Sequence, residues 1–119
     1  MQQQATGGIP FRVVRDPVYG YVQIPEALYP IVDTAPVQRL RRISQTSLTS
    51  SVYPGATGSR FEHALGTMYL AGRAWDSAWN NASQRVRAAF EAALRDEVSE
   101  LQVSDQFEDE VRWAVMAVG

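Results

Sequence analysis

The sequence predicts a mainly α-helical domain with a small β-hairpin near its N-terminus. Apolar or small residues recur at helical spacing from Phe61 to Trp79, and two amphipathic stretches follow after residue 82. Two β-prone runs, residues 11–14 and 21–24, flank turn-forming residues and predict the hairpin. Because two strands alone are marginally stable in water, we expect the hairpin to pack on helices.

Length and composition indicate one globular domain. The chain has 119 residues, with 45% hydrophobic and 20% charged residues, which argues against disorder. It has no cysteine, which excludes a disulfide framework and a thiolate metal site. No stretch approaches the ~20 apolar residues of a membrane span, and residues 1–8 lack the pattern of a signal peptide. We therefore expect a cytoplasmic protein, with a flexible lead-in over residues 1–10 and the N-terminal portion of a single helical domain over 11–119.

Charge is distributed unevenly along the chain. Residues 1–73 carry seven arginines against four acids, whereas residues 74–119 carry four arginines against nine acids, for a net charge of −2. Every basic residue is arginine, whose planar guanidinium matches phosphate bidentately, although codon bias explains the absence of lysine equally well. An overall acidic chain of this kind is not expected to bind nucleic acid.

Two short helices and a loop are predicted between the hairpin and the longest helix. The helices are expected over about residues 25–32 and 37–44, the second capped by Asp33 or Thr34. Hydroxyl-rich and turn-forming residues predict a loop over 46–58. The second helix has an apolar face of Val37, Leu40 and Ile43.

The longest predicted helix begins at Arg60 and runs to about residue 80. Ser59 and Glu62 have the spacing of a capping box, so Glu62 has a structural explanation. The face that starts at His63 is also largely apolar or small, which predicts a helix buried nearly all round. Arg60 lies one turn before His63 on the same face. That face continues with Thr67, Leu70 and Ala74.

His63 is the only histidine in the chain, and two interpretations of it compete. A core histidine would find partners for its ring nitrogens for structural reasons alone. Alternatively, His63 is a metal ligand or a general base, since histidine is the commonest metal ligand. Spacing alone does not decide between them, because no second ligand lies beside it and metal sites need three or four.

Two further helices are predicted towards the end of the chain. Ser83 is expected to cap the first, and Ser104 and Asp105 the second. The last residues, 115–119, are apolar, which suggests a chain truncated within its domain and association through this apolar C-terminal end. The apolar stripe of the first comprises Val86, Phe90, Ala93, Leu94, Val98 and Leu101. That of the second comprises Phe107, Val111, Ala114, Val115 and Val118.

Four sequence blocks, in order and spacing, resemble the N-terminal part of HD-domain phosphohydrolases of the deoxynucleoside triphosphate triphosphohydrolase type. The resemblance covers about residues 12–75. It rests on several separate blocks that agree in order and spacing. The blocks are Asp16-Pro17-Val18-Tyr19-Gly20, residues 31–45 (IVDTAPVQRLRRISQ), Val52-Tyr53-Pro54-Gly55-Ala56-Thr57 and Arg60-Phe61-Glu62-His63-Ala64-Leu65-Gly66.

The resemblance implies an HD-type helical fold and a set of site residues. His63 would be the first ligand of a divalent metal, whose other ligands, a His-Asp pair and a later aspartate, would be expected beyond residue 119. Arg60 would contact the substrate phosphate, and Gln45 would lie near the sugar. Three positions match a regulatory guanine nucleotide site of some relatives, although capping and solvation explain them equally well: Asp33, Gln38 and Arg41.

The chain departs from the family where histidine is usual at Tyr19 and frequent at Gly58, and where Gln-Leu-Gly is common at residues 45–47. These differences weaken what the resemblance implies about sugar or base selection, and they do not concern Arg60 or His63. The leading hypothesis is therefore a metal-dependent phosphohydrolase with a nucleotide substrate. The alternative is a non-catalytic HD-type module that binds a nucleotide or a partner protein.

Overall fold

The computed structural model describes residues 11–97 and 107–118. These residues form a two-stranded antiparallel sheet, five α-helices and three short 3₁₀ turns. They divide into two compact units, one up to Gly66 and one from Thr67. The predicted class, mainly helical with a small N-terminal hairpin, is confirmed. Residues 1–10 lie outside the described residues, and a single domain over 11–119 stays a prediction.

The hairpin joins strand β1 (Phe11–Asp16) to strand β2 (Gly20–Pro25), as predicted. Its buried face includes Val22 and Ile24, which are 0% and 1% exposed. Asp16 is buried at the turn, where its Oδ1 accepts the backbone N–H of Val18 at 2.7 Å and of Tyr19 at 2.9 Å. The aspartate thereby satisfies the two donors that the turn leaves without a strand partner.

Helix α1 (Tyr29–Val32) follows a 3₁₀ turn over Glu26–Leu28, so the predicted helix over 25–32 forms in two pieces after Pro25 ends β2. Helix α2 (Ala35–Arg39) continues into a 3₁₀ turn over Leu40–Arg42 and stops before residue 44. It ends there because Ile43 is extended, with φ −107° and ψ 118°.

The predicted side-chain cap of α2 is wrong. Thr34 occupies the N-cap position without a capping hydrogen bond, and its hydroxyl donates to the Ile31 carbonyl at 2.8 Å. Asp33 is instead engaged by Arg12 of β1. The structure therefore uses both polar side chains for contacts with the preceding chain.

The loop after α2 contains a 3₁₀ turn over Ser47–Ser51 that the sequence did not predict. Ser47 has a φ of 53°, in the left-handed region that L-residues with a Cβ rarely adopt. The ends of the loop meet, since the Gln45 N–H donates to the Gly58 carbonyl at 3.0 Å.

Helix α3 (Arg60–Asn81) is the longest element described, as predicted. Its capping box is confirmed: the Ser59 N–H donates to Glu62 Oε2 at 2.7 Å, and the Glu62 N–H donates to Ser59 Oγ at 3.3 Å. The predicted core face is confirmed as well. Its buried members are Phe61, Leu65, Met68, Gly72 and Trp79, with Trp75 half-buried.

The unit from Thr67 contains most of α3, α4 (Gln84–Glu97) and α5 (Phe107–Val118). Trp75 and Trp79 stack with ring centroids 5.2 Å apart, and Phe90 of α4 lies 5.5 Å and 5.8 Å from them. Ser83 caps α4, since its Oγ accepts the Val86 N–H at 3.4 Å. This aromatic cluster joins α4 to α3.

Helix α5 contacts α3 where the latter has a glycine. A Cβ at Gly72 would lie 3.0 Å from Met116 Cγ and Sδ. Arg112 of α5 forms a bidentate pair with Asp76, at 2.6 Å and 3.0 Å. The predicted stripe of α5 is confirmed at Phe107, which is buried, and wrong at Val118, which is 90% exposed. Met116, which the predicted stripe did not include, is buried.

Within the two described ranges, no helix has both the length and the apolar character needed to cross a membrane. Four residues that were predicted to belong to the apolar stripe of α4 or to cap α5 lie outside the described residues: Val98, Leu101, Ser104 and Asp105.

Candidate functional site

A short backbone pairing joins the segment that contains Gln45 to the segment that leads into Arg60. Ser44 and Ser59 form an isolated antiparallel bridge. On one side of the bridge the Arg60 N–H donates to the Ile43 carbonyl at 2.8 Å, and on the other the Gln45 N–H donates to Gly58. The two residues that the resemblance assigns to the phosphate and the sugar thus lie on the two sides of one bridge, which precedes the start of α3.

Arg60 and His63 are both exposed on the first turn of α3. The expectation that His63 is buried is wrong, because packing covers only the face of the helix that carries Phe61 and Leu65. The face that continues from His63 is open as well, with Leu70 47% exposed. An exposed imidazole three residues after an exposed guanidinium leaves both groups accessible to a ligand.

The carboxylate nearest to His63 in sequence has a structural role. Glu62 is held by the capping box. Among the residues that the structure describes, no group of three or more His, Cys, Asp and Glu side chains could hold a metal ion. Because catalytic sites use about three protein ligands, the described residues do not by themselves fit the divalent metal that the resemblance implies.

Asp33 is paired with Arg12 of the hairpin. Arg12 Nη1 and Nη2 donate to its two carboxylate oxygens at 2.6 Å and 2.9 Å, and the guanidinium lies 3.9 Å from the centroid of the Tyr29 ring. These hydrogen bonds hold the pKa of the Asp33 carboxyl below its ordinary value, and they raise the pKa of Arg12. A nucleotide that used Asp33 would have to displace Arg12.

Gln38 and Arg41 are joined to one another and to the start of α3. The Gln38 Nε2 donates to the Val32 carbonyl at 2.8 Å, and its Oε1 accepts from Arg41 Nε at 2.8 Å. The Arg41 guanidinium lies 3.8 Å from the centroid of the Phe61 ring. Arg41 is therefore more than a solvated arginine, whereas a regulatory nucleotide site at Asp33, Gln38 and Arg41 stays a prediction.

Sequence reasoning missed the contacts of Arg12 and the stacking of Arg41 on Phe61. Arg12 carries no local signal, because its partner lies 21 residues away. For Arg41, only the hydrogen bond to Gln38 had a signal in the sequence, an arginine three residues after a glutamine. Its aromatic partner follows only after a loop, so the ring contact was not predictable from spacing.

Comparison with known proteins gives matches that cover about half of the chain. No family model matches it. The deoxynucleoside triphosphate triphosphohydrolase SAMHD1 of Gallus gallus is 51% identical over 61 residues, which are 51% of this chain and 10% of that protein. The human SAMHD1 is 46% identical over 61 residues, with the same coverage of both chains. The chain thus spans about a tenth of the length of these relatives.

Solved structures agree with the sequence matches. A phosphohydrolase from Bacteroides thetaiotaomicron is 32% identical, with a TM-score of 0.54, and the match covers 90% of this chain and 22% of that one. The resemblance to HD-domain dNTP triphosphohydrolases is confirmed. A hypothetical protein from Aquifex aeolicus is 38% identical, with a TM-score of 0.55, over 57% of this chain and 18% of that one.

Proposed function

We propose that this chain supplies the phosphate-binding part of a phosphohydrolase that acts on a deoxynucleoside triphosphate or a related nucleotide. The observation that carries the proposal is the bridge between Ser44 and Ser59, which Gln45 and Arg60 flank at the start of α3. The similarity to dNTP triphosphohydrolases supports the same substrate class.

The side chain of Arg60 has the charge and the exposure that phosphate binding requires. Its side chain is exposed and makes no hydrogen bond or ion pair within the described residues. The backbone N–H groups around it are used already, since those of Arg60, Glu62 and His63 donate to Ile43, Ser59 Oγ and the Ser59 carbonyl. Phosphate would therefore be held by the guanidinium fork, through two parallel charge-assisted hydrogen bonds.

His63 is proposed as one ligand of a divalent metal. A metal ion bound there would polarise phosphoryl oxygens and lower the pKa of a bound water. Since the described residues offer no complete ligand set, the reaction at phosphorus is not assigned to them. These residues would orient the phosphate chain and the sugar for it.

A second candidate is a non-catalytic HD-type module that binds nucleotide. The absence of a three-ligand group within residues 11–97 and 107–118 favours it for the chain taken alone. Both candidates require nucleotide binding at Arg60, and they differ in whether hydrolysis follows. A cytoplasmic location, a protein partner and self-association through the C-terminal end stay predictions.

Titration of dATP and dGTP into the purified chain, followed by calorimetry, tests the nucleotide binding at Arg60 that both candidates require. Arg60→Ala should weaken binding by roughly 10- to 100-fold, the range expected for hydrogen bonds to a charged group. Arg60→Lys should recover little of this, because lysine keeps the charge but loses the planar fork.

Arg39→Ala is the matched control. Arg39 is exposed on α2 and, within the described residues, makes no hydrogen bond or ion pair, so its removal changes net charge by the same amount. The affinity of this variant should stay within about twofold of the wild type, the size of a small surface effect. Equal losses in the Arg39 and Arg60 variants, or full recovery with lysine, would reject a bidentate phosphate contact.

A further inference from the structure

The first turn of α3 is held by a side chain that precedes it by almost 20 residues. Phe61 follows Arg60 directly and is only 3% exposed. The guanidinium carbon of Arg41 lies 3.8 Å from the centroid of its ring, which is a close cation–π contact. The guanidinium of Arg41 therefore lies over one face of the Phe61 ring.

Arg41 is itself fixed by contacts that lead into the core. Its Nε donates to Gln38 Oε1 at 2.8 Å, and Gln38 Nε2 donates to the carbonyl of Val32 at 2.8 Å. Val32 is 7% exposed. A continuous path of short contacts thus runs from the backbone of a buried residue, through two side chains, to the ring beside Arg60.

The same turn also holds the backbone of α3. Ile43, two residues after Arg41, accepts the Arg60 N–H at 2.8 Å. The 3₁₀ turn over Leu40–Arg42 and the residue after it therefore meet the start of α3 at two points, the Arg41 guanidinium and the Ile43 carbonyl. Two separate contacts restrain both the position and the rotation of a helix turn, whereas one alone leaves rotation free.

We propose that Arg41 is a positioning residue, which clamps Phe61 and so fixes the first turn of α3 that presents Arg60 and His63. The neighbouring Arg39 and Arg42 are exposed and make no side-chain hydrogen bond, ion pair or ring contact within the described residues, so the clamp belongs to Arg41 alone in this run. The expected consequence of the clamp, a higher phosphate affinity at Arg60, rests on the proposed function. The structural part of the proposal is independent of that function.

Amide hydrogen exchange tests the structural part without any nucleotide. In Arg41→Ala, the N–H groups of Arg60, Glu62 and His63 should exchange at least about threefold faster than in the wild type, because the first turn opens more often. Arg41→Lys should resemble the alanine variant, since an ammonium lacks the flat face and the Nε donor. Arg42→Ala should leave exchange at these amides unchanged. Unchanged exchange in Arg41→Ala would overturn the clamp.

A double-mutant cycle on the affinity for inorganic tripolyphosphate separates positioning from direct contact. Arg41→Ala should weaken binding by about 3- to 10-fold in the wild-type background. In the Phe61→Leu background, which removes the ring face and keeps an apolar side chain, the same change should have almost no further effect. An equal loss in both backgrounds, or full rescue by Arg41→Lys, would show that Arg41 binds the anion itself and would overturn the proposal.

The two proposals fail in different ways. If Arg60→Ala leaves tripolyphosphate binding intact, the proposed function is wrong, and the exchange rates still decide whether Arg41 holds the helix start. If exchange is unaffected by Arg41→Ala while Arg60→Ala abolishes binding, the phosphate site stands and the clamp is wrong.

Discussion

The two units of the chain use arginine and aromatic side chains for different purposes. In the unit up to Gly66, Arg41 covers a single ring and Arg60 is left free on the surface. In the unit from Thr67, Arg112 is taken up by a bidentate pair, and rings pack mainly against other rings. In the first unit Arg41 and Arg60 thus serve the start of α3, whereas in the second Arg112 joins two helices.

The aromatic cluster of the second unit should give the largest effect on stability. Trp79→Ala removes a side chain that is 8% exposed and contacts two other rings. We expect a loss of about 3–5 kcal/mol in the free energy of unfolding, measured by urea denaturation.

Trp79→Phe is the control for this cluster. It keeps an aromatic ring in place of the larger indole, whose Nε1 finds no hydrogen-bond partner among the described residues. The phenylalanine variant should therefore lose clearly less stability than the alanine variant. A loss below about 1 kcal/mol in Trp79→Ala, typical of surface changes, would contradict the view that packing of these rings holds the second unit together.

The pair between Asp76 and Arg112 should give an intermediate effect. Asp76→Ala leaves a guanidinium, whose side chain is only 28% exposed, without its partner. We expect unfolding to become easier by about 1–3 kcal/mol, the range for a hydrogen-bonded charge. Asp96→Ala, at an exposed position on α4, is the matched control and should change little. Equal effects of the two substitutions would show that the pair contributes no more than a surface charge.

The strained residue of the first unit should give a smaller effect of opposite sign. Ser47 has a φ of 53°, in the left-handed region that favours glycine. Ser47→Gly should stabilise the chain by about 0.5–1 kcal/mol, since relief of the left-handed conformation exceeds the entropy cost of glycine in the unfolded state. Ser47→Ala should give no such gain in thermal unfolding, because alanine keeps the Cβ. A gain of the same size in the alanine variant would rule out backbone strain as the cause.

The exposed pair between Arg12 and Asp33 should contribute least. Both side chains are 47% exposed, so salt screens them. Because folding lowers the pKa of Asp33, its contribution is present above the ordinary carboxyl pKa of about 3.9 and is lost as pH falls through the lowered value. Carboxyl titration by NMR should show the pKa of Asp33 rising in Arg12→Ala. An unchanged pKa of Asp33 in this variant would mean that a group other than Arg12 lowers it.

Much of the fold followed from local signals in the sequence. The hairpin, the length of α3, its buried face and the capping box of Ser59 and Glu62 all depend on residues within a few positions of one another. The early end of α2 did not follow, because Ile43 is drawn into an extended conformation by pairing with Arg60, a contact between distant residues. The exposure of His63 was also missed, since periodicity shows which faces are apolar and not which are covered.

The candidate site was predicted through resemblance more than through physics. Gln45, Arg60 and His63 follow from the motif blocks, and the bridge that Gln45 and Arg60 flank could not be inferred from spacing. The partners of Asp33, Gln38 and Arg41 were unforeseen because each depends on the path of the chain in three dimensions.

Metal titration beside a triphosphate-release assay on the 119-residue chain tests the central claim most directly. The claim is that the chain holds a phosphate-binding helix start without a complete metal site of its own. We predict weak binding of Mn²⁺ and Mg²⁺ and no release of triphosphate from dNTPs, because a catalytic site needs more ligands than His63 supplies. Tight metal binding with turnover, both abolished by His63→Ala, would contradict the claim.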